Sequence, residues 1–342
     1  MIGINNEAKI TKQRLEWVDI AKGIAIILMI VGHEIGNKSI IALIFSFHMP
    51  LFFILSGYTS RPVTTWQKWR RKFKQTFMKV WLLAVIMVLL LGIEYWAFSP
   101  HKNISQSLAN SLIGIFWGSN IPARGINDVG VMWFMFVFFW AKLLFDFLQV
   151  LFPNRYNGVL LGVLAYLMSV ISQSPFHWFP QAMDIVPIAA LFMWCGQFIK
   201  WITSQTISNG ELQVNRIEQL AIATAFIYWT ACIQNNIYIE LAVRHYPYFI
   251  FSFIEAIAGT LVFSYISKCF CLNRYFAFLK YAGRHTLALL CIHHLDLYWV
   301  TWGGVISSGW LAAIVRLVLD LGILIIFLWI VKLVFKYKKR RL

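Results

Sequence analysis

The chain has 342 residues, of which 60% are hydrophobic and only 13% are charged. Soluble domains are typically about half apolar and about a quarter charged, so this composition excludes a soluble globular protein and predicts an integral membrane protein. The formal net charge of +16 would suit a nucleic-acid-binding protein. Its distribution along the chain follows membrane topology instead, so we predict no nucleic-acid partner.

Apolar runs long enough to cross a bilayer recur along the whole chain. A helix needs about 20 apolar residues to cross ~30 Å of hydrocarbon, and these runs lack the alternation of barrel strands. They predict an all-α, polytopic transmembrane helix bundle in a lipid bilayer, with residues 1–342 as a single integral-membrane domain. We predict about ten spans, near residues 18–36, 42–60, 80–98, 130–151, 157–173, 181–201, 217–235, 248–267, 285–301 and 309–335.

The connections between the spans predict one further helix and the orientation of the chain in the membrane. The segment 99–129 has the apolar spacing of a short interfacial helix. With ten spans, the N-terminal tail, the basic connections after the second and eighth spans and the final KYKKRRL all fall on one side. The opposite connections contain only Lys38, Lys102, Arg124 and Arg244. Because cytoplasmic loops are enriched in Lys and Arg, both termini are predicted to be cytoplasmic.

The first predicted span carries Asp19, Lys22, His33 and Glu34, although ionisable groups inside a membrane are costly and are functional candidates by default. Lys22 and His33 are eleven residues apart, which is about 16 Å along a helix, on nearly the same face. A neutral imidazole can accept a proton near neutral pH; the alternative for His33 is an interhelical hydrogen bond. Glu34 points about 100° away from His33, so it faces a different neighbour.

Later spans contain further polar candidates. Asp184 and Glu255 are deep carboxylates, and each could pair with Arg316 or Lys142. The five cysteines lack a metal-ligand spacing pattern, and we predict no metal site. The remaining ionisable residues of the later spans include His48, Glu94, Asp146, His293, His294, Asp296 and Asp320.

Six stretches, in order along the chain, resemble the acyltransferase 3 family, whose members are membrane O-acyltransferases that modify surface polysaccharides. DIAKGIAIILMIVGHE contains the family's basic residue followed, after ten residues, by a histidine, here Lys22 and His33. FHMPLFFILSGY (47–58) resembles the second helix of the sugar O-acetyltransferase branch, which is fucose-4-O-acetylase-like. The other four stretches are KWRRKFKQTFMKVW (68–81), VMWFMFVFFWAKLL (131–144), MDIVPIAALFMWCGQFI (183–199) and LKYAGRHTLALLCIHHLDLYW (279–299).

The resemblance implies a multi-pass O-acetyltransferase of a bacterial plasma membrane, with cytosolic acetyl-CoA as donor and a glycan or glycolipid hydroxyl as acceptor. It implies that His33 is the general base or a transient acetyl carrier. Glu34 and His48 are further catalytic candidates, and Trp133 and His293 are candidates for binding the acceptor.

The donor site is expected among basic residues. Lys22 could contact the donor, or it could form an ion pair with Asp19. The stretch after the second span could pair with the CoA phosphates, or it could serve topology and lipid headgroups alone. The family's paired arginines correspond to Arg71 with Lys74, or to Arg70 with Arg71. The donor candidates in this stretch are Arg70, Arg71, Lys72 and Lys74.

A different class of function also accommodates intramembrane charges. In a polytopic transporter or channel for a small polar solute or glycan precursor, such charges would line the permeation path. The sequence contains no inverted repeat and no matched pair of broken helices, which favours the enzyme. The acceptor sugar and the oligomeric state have no signal in the sequence.

Overall fold

The structure is a computed structural model, and it describes residues 14–98, 103–121, 129–153, 156–174, 179–206, 211–271, 273–299 and 305–341. The α-helices are α1 (Glu16–Glu34), α2 (Lys38–Phe45), α3 (His48–Thr59), α4 (Trp66–Thr76), α5 (Leu82–Ala97), α6 (Ile104–Trp117), α7 (Trp133–Leu151), α8 (Tyr156–Ile171), α9 (Val186–Thr206), α10 (Glu211–Gln234), α11 (Phe249–Phe270), α12 (Ala277–Arg284), α13 (Thr286–Trp299) and α14 (Gly309–Arg341). The described residues contain no named strand, so the predicted all-α class is confirmed.

Capping residues set the ends of several helices. The side chains of Asn37, Thr65 and Asn103 accept hydrogen bonds from first-turn N–H groups of α2, α4 and α6, which satisfies donors that have no partner inside the helix. Gly118 ends α6 with a φ of 58°, a left-handed conformation that glycine adopts without strain. The helix predicted within 99–129 is therefore present as α6.

A π-helical turn at Phe77–Trp81 joins α4 to α5, so that Trp66–Ala97 forms one continuous helix. The predicted third span, 80–98, is the apolar part of this helix, and the basic stretch is its N-terminal part. A π-turn inside an α-helix is often found at functional sites. Here it carries the chain from the basic stretch into the apolar bundle without a loop.

Each of the ten predicted spans overlaps helical residues, and the second covers the end of α2 together with α3. The described residues include six helices that are long and apolar enough to cross a membrane, and α8 and part of α13 are shorter apolar helices. The six are Lys38–Thr59, Trp66–Ala97, Gly130–Leu151, Pro180–Ser204, Phe249–Phe270 and Gly309–Val334. A multi-pass membrane protein is therefore supported. The count of ten spans and the cytoplasmic termini stay predictions, and Lys102 and Arg124 lie outside the described residues.

Helix α1 is the centre of the bundle, and it packs against α3, α11, α12, α13 and α14. It approaches α12 closely because Gly23 faces the backbone of Leu279 and Gly283 faces the backbone of Asp19. In the same way, α3 and α9 meet where Gly57 and Gly196 face each other's helix backbone. Small residues let helix backbones come together in membranes, where packing rather than water drives association.

Replacing one of these contact glycines should destabilise the protein even though alanine is the better helix former. In Gly196→Ala, the added Cβ would collide with backbone atoms of Ile54 and Tyr58, and overpacking of this kind costs about 1–3 kcal/mol. Gly322→Ala is the matched control, because no atom lies within 4 Å of its added Cβ, and it should be neutral or gain up to about 1 kcal/mol. Thermal unfolding in one detergent would measure both, and equal midpoints would contradict the packing described.

Candidate active site

The imidazole of His33 lies near the C-terminal end of α1 and is held by its own helix. Its Nδ1 is 2.7 Å from the carbonyl oxygen of Met29. A carbonyl oxygen can only accept, so Nδ1 is the donor, and in the neutral ring Nε2 is left with a free lone pair. The His33 side chain also remains accessible. This arrangement gives the tautomer and the access that a general base needs.

Aromatic rings from two other helices surround this imidazole. The His293 ring of α13 has its centroid 5.2 Å from that of His33, and the Phe45 ring of α2 lies at 5.6 Å. The ring centroid of Phe45 is also 4.9 Å from that of His48. His48 is the first residue of α3 and is buried, and its Nδ1 lies 3.1 Å from the carbonyl oxygen of Ile44. The structure therefore brings the three predicted histidines into one region of the bundle.

A buried arginine of α14 connects Glu34 to a third helix. Arg316 is 2% exposed, and it forms ion pairs with Glu34 of α1 and with Asp296 of α13; its Nε lies 2.5 Å from Oδ2 of Asp296. Glu34 thus contacts α14 while His33 contacts α13, as the angle between neighbouring helical residues predicted. One turn further along α14, Asp320 lies 3.3 Å from Nδ1 of His293, and both side chains are fully buried.

The predicted ion-pair partners of Asp184 and Glu255 are wrong. Asp184 pairs with Arg244 at 2.9 Å, and Oε2 of Glu255 accepts a hydrogen bond from the backbone N–H of Ile239 at 3.3 Å. Lys142 instead pairs with Asp146 in the next turn of its own helix. The contacts of Asp184 and Glu255 join segments that are apart in sequence, and composition alone does not reveal which segments are neighbours; the pair of Lys142 with Asp146 is local to one helix.

Lys22 lines a partly open cavity of about 260 Å³ between α1, α3, α7 and α13. Along α1 the lining extends to Met29, about 10 Å further at 1.5 Å per residue; the carbonyl group of Met29 is the one that holds His33. Asp19 pairs with Arg14 and Arg284, at 2.6 and 3.2 Å, rather than with Lys22. Of the two predicted roles for Lys22, the structure therefore favours a contact inside the cavity.

The basic stretch divides into two groups on α4. Lys72 is half-buried, donates to the carbonyl oxygen of Arg61 at 3.1 Å and lies 3.7 Å from Asp146. Arg70, Arg71 and Lys74 are exposed. The same continuous helix contributes Val80 to the cavity wall, so the exposed charges and the cavity share one rigid element.

Trp133, a predicted acceptor contact, begins α7 and is only 3% exposed. Its ring packs within the core, 6.2 Å from that of Phe134, and it does not line the cavity. A role in binding an acceptor therefore stays a prediction for Trp133.

The sequence pointed to Asp296, Arg316 and Asp320 as intramembrane charges, but it assigned no role to the two aspartates and named Arg316 only as a possible partner of Asp184 or Glu255. The spacing of two of them was informative, because Arg316 and Asp320 are four residues apart and therefore share a helix face. Their proximity to Glu34 and His293 depends on how α1, α13 and α14 pack, which only the structure gives.

Together, the bundle of apolar helices, the cavity and the buried ionisable cluster define a polytopic membrane protein with ionisable groups in its interior. The acyltransferase 3 family model, described as an acyltransferase domain, matches residues 15–336, and the chain belongs to this family. No curated protein and no solved structure matches it. The family resemblance is therefore confirmed and indicates membrane acyltransferase activity, whereas the sugar-specific branch stays a prediction.

Removing the Arg316 guanidinium should destabilise the bundle strongly. In Arg316→Gln, Glu34 and Asp296 lose their buried partner, and breaking a buried pair from one side typically costs about 3–5 kcal/mol. The matched control is Lys280→Gln, which removes the exposed pair between Lys280 and Glu16 and should cost at most about 1 kcal/mol. Thermal unfolding in detergent measures both variants; an Arg316→Gln midpoint no lower than that of Lys280→Gln would refute the ion-pair network.

Proposed function

We propose that this protein is a membrane O-acetyltransferase, which transfers an acetyl group from cytosolic acetyl-CoA to a hydroxyl of a cell-surface or lipid-linked glycan in a bacterial plasma membrane. The observation that carries the proposal is the hydrogen bond between His33 and the Met29 carbonyl group. It leaves Nε2 of an accessible imidazole free, one turn beyond a cavity that begins at Lys22.

Transfer of an acetyl group from a thioester to a hydroxyl requires one general base. Nε2 of His33 takes the proton of the acceptor hydroxyl while the hydroxyl oxygen attacks the thioester carbonyl carbon. The tetrahedral intermediate then collapses, the carbon–sulfur bond breaks, and the departing CoA thiolate takes the proton back from His33. The Met29 carbonyl oxygen supports this cycle because it stabilises the imidazolium through Nδ1–H. A second route, in which Nε2 carries the acetyl group transiently, uses the same geometry and stays open.

The cavity supports a donor site for the pantetheine arm of CoA. Its walls are largely side chains such as Ile26, Met29, Met49 and Phe134, which suit an uncharged, flexible arm, and Lys22 is the charged side chain among its lining residues. A thioester at the Met29 end would lie within one helical turn of His33.

The exposed basic residues of α4 support a phosphate site for the same donor. Arg71 and Lys74 are three residues apart on one helix, so they share a face, whereas Arg70 and Arg71 point about 100° apart. The pair Arg71 and Lys74 is therefore the better counterpart of the family's paired arginines, with Arg70 beside it. Lys72 is less suited, because Asp146 and a backbone carbonyl group already engage it.

Glu34 is better suited to positioning than to proton transfer. Its carboxylate is paired with Arg316, so an oxygen that a proton acceptor would use is already engaged by the guanidinium. By holding Glu34, Arg316 fixes the last turn of α1, which carries His33. His48 and His293 flank the base and are the remaining candidates for contact with the acceptor or for a proton relay.

The test is transfer of radiolabelled acetyl from acetyl-CoA to a glycolipid fraction extracted from the source membranes, by purified protein in detergent. His33→Gln should reduce the rate by about 10²–10⁴-fold, the usual contribution of a general base, while CoA affinity stays within a few-fold of wild type. His285→Gln, a histidine between α12 and α13, is the control and should keep the wild-type rate.

Transfer by His33→Gln at the wild-type rate would show that His33 is neither base nor carrier. A wild-type protein that binds no CoA would favour the transporter alternative.

A further inference from the structure

Three buried side chains on the last two described helices form a compact group, here called the core cluster: His293 and Asp296 of α13, and Asp320 of α14. One nitrogen of the histidine and one oxygen of each aspartate lie within 4.8 Å of one another. The three residues are 0%, 2% and 0% exposed. A metal ion with ligands at about 2.0–2.4 Å holds opposite ligands no more than about 4.8 Å apart, so the spacing fits a single ion.

The core cluster has lone pairs but lacks donors for them. Among the described residues, Oδ1 of Asp296 and Oδ1 of Asp320 are buried without a hydrogen-bond partner. Nδ1 of His293 lies 3.3 Å from Oδ2 of Asp320, and in the neutral tautomer that carries its proton on Nε2 this nitrogen is an acceptor that faces the carboxylate. Nη2 of Arg316 has no partner among the described residues either, so this donor does not reach the two unpartnered oxygens. Buried polar atoms nearly always have a hydrogen-bond partner. Several acceptors that lie close together without donors would be stabilised by a bound cation.

The charges around the core cluster also leave a negative excess. Glu34, Asp296 and Asp320 are three carboxylates, and Arg316 supplies the one guanidinium that pairs with two of them. Unbalanced charge is costly to bury. With the three carboxylates ionised, this group and Arg316 carry a net charge of −2, which a divalent cation would cancel.

We propose that the core cluster binds one divalent metal ion of the kind that accepts mixed nitrogen and oxygen ligands, Zn²⁺ or Mn²⁺. Imidazole suits zinc and carboxylates suit manganese, and three protein ligands leave a coordination position open, as in catalytic metal sites. The ion would tie α13 to α14 beside the His293 ring, which lies 5.2 Å from that of His33. The sequence analysis predicted no metal site because the ligands proposed here come from two different helices and include no cysteine.

The experiment counts metal ions on the purified full-length chain. The protein in detergent is treated with EDTA and dialysed against Zn²⁺ or Mn²⁺. After unbound ion has been removed, the bound metal is measured by inductively coupled plasma mass spectrometry. The wild type should retain about one ion per chain. Asp320→Asn and His293→Gln should weaken binding by about tenfold or more, and the rise in melting temperature that the ion gives the wild type should be lost in both.

Glu255→Gln is the matched control, since it neutralises another fully buried carboxylate with an unpartnered oxygen, on α11, and it should bind the ion as the wild type does. A wild type that retains no ion above the level of a buffer blank would overturn the proposal, as would ligand variants that bind as well as Glu255→Gln. The wild-type count decides the question even if a variant fails to fold, and it requires no acetyl transfer, so it is independent of the proposed function.

Discussion

The ion pairs of Arg316 with Glu34 and Asp296 are the constraint on which the rest of the structure depends. They join α1, α13 and α14 deep in an apolar bundle, where an unpaired charge would be strongly unfavourable. Because Glu34 directly follows His33, a fixed carboxylate also fixes the turn of α1 that carries the imidazole. The arginine therefore acts on the site through the backbone, from a face of α1 about 100° away from the face that carries His33.

The same helix that carries the imidazole also forms a wall of the cavity. Gly23 lets α12 approach one face of α1, while Lys22 and Met29 line the cavity on another. The bundle is thus tightly packed beside α12 and open beside α3 and α7. This asymmetry produces a chamber that ends one turn from His33 rather than a continuous core.

Much of this fold followed from the sequence because apolar length and helical geometry are local properties. All ten predicted segments overlap helices, and the direction of Glu34 relative to His33 was correct, since both follow from residues close together in the chain. The partner of Asp184 was not predictable in this way, whereas the pair of Lys142 with Asp146, four residues along the same helix, follows from helical spacing and was missed. Arg244 is sixty residues from Asp184, and their contact depends on how loops fold over the bundle.

The core cluster and the division of the basic stretch show the same limit. The spacing of Arg316 and Asp320 places them on one face of α14, but nothing local says that His293 faces them. Lys72 is indistinguishable in the sequence from Lys74, and only the approach of α7, with Asp146, separates the half-buried lysine from the exposed one. Pairwise contacts between helices therefore carry the information that local patterns lack.

The proposed function requires His33 to lie between a donor chamber on one side of the membrane and an acceptor on the other. Proteoliposomes with a soluble glycan acceptor trapped inside and radiolabelled acetyl-CoA added outside test it most directly. We expect label on the enclosed glycan, transferred by those protein molecules whose donor chamber faces outwards, while the acetyl-CoA itself stays outside. Label that appears only when donor and acceptor share one compartment would contradict it.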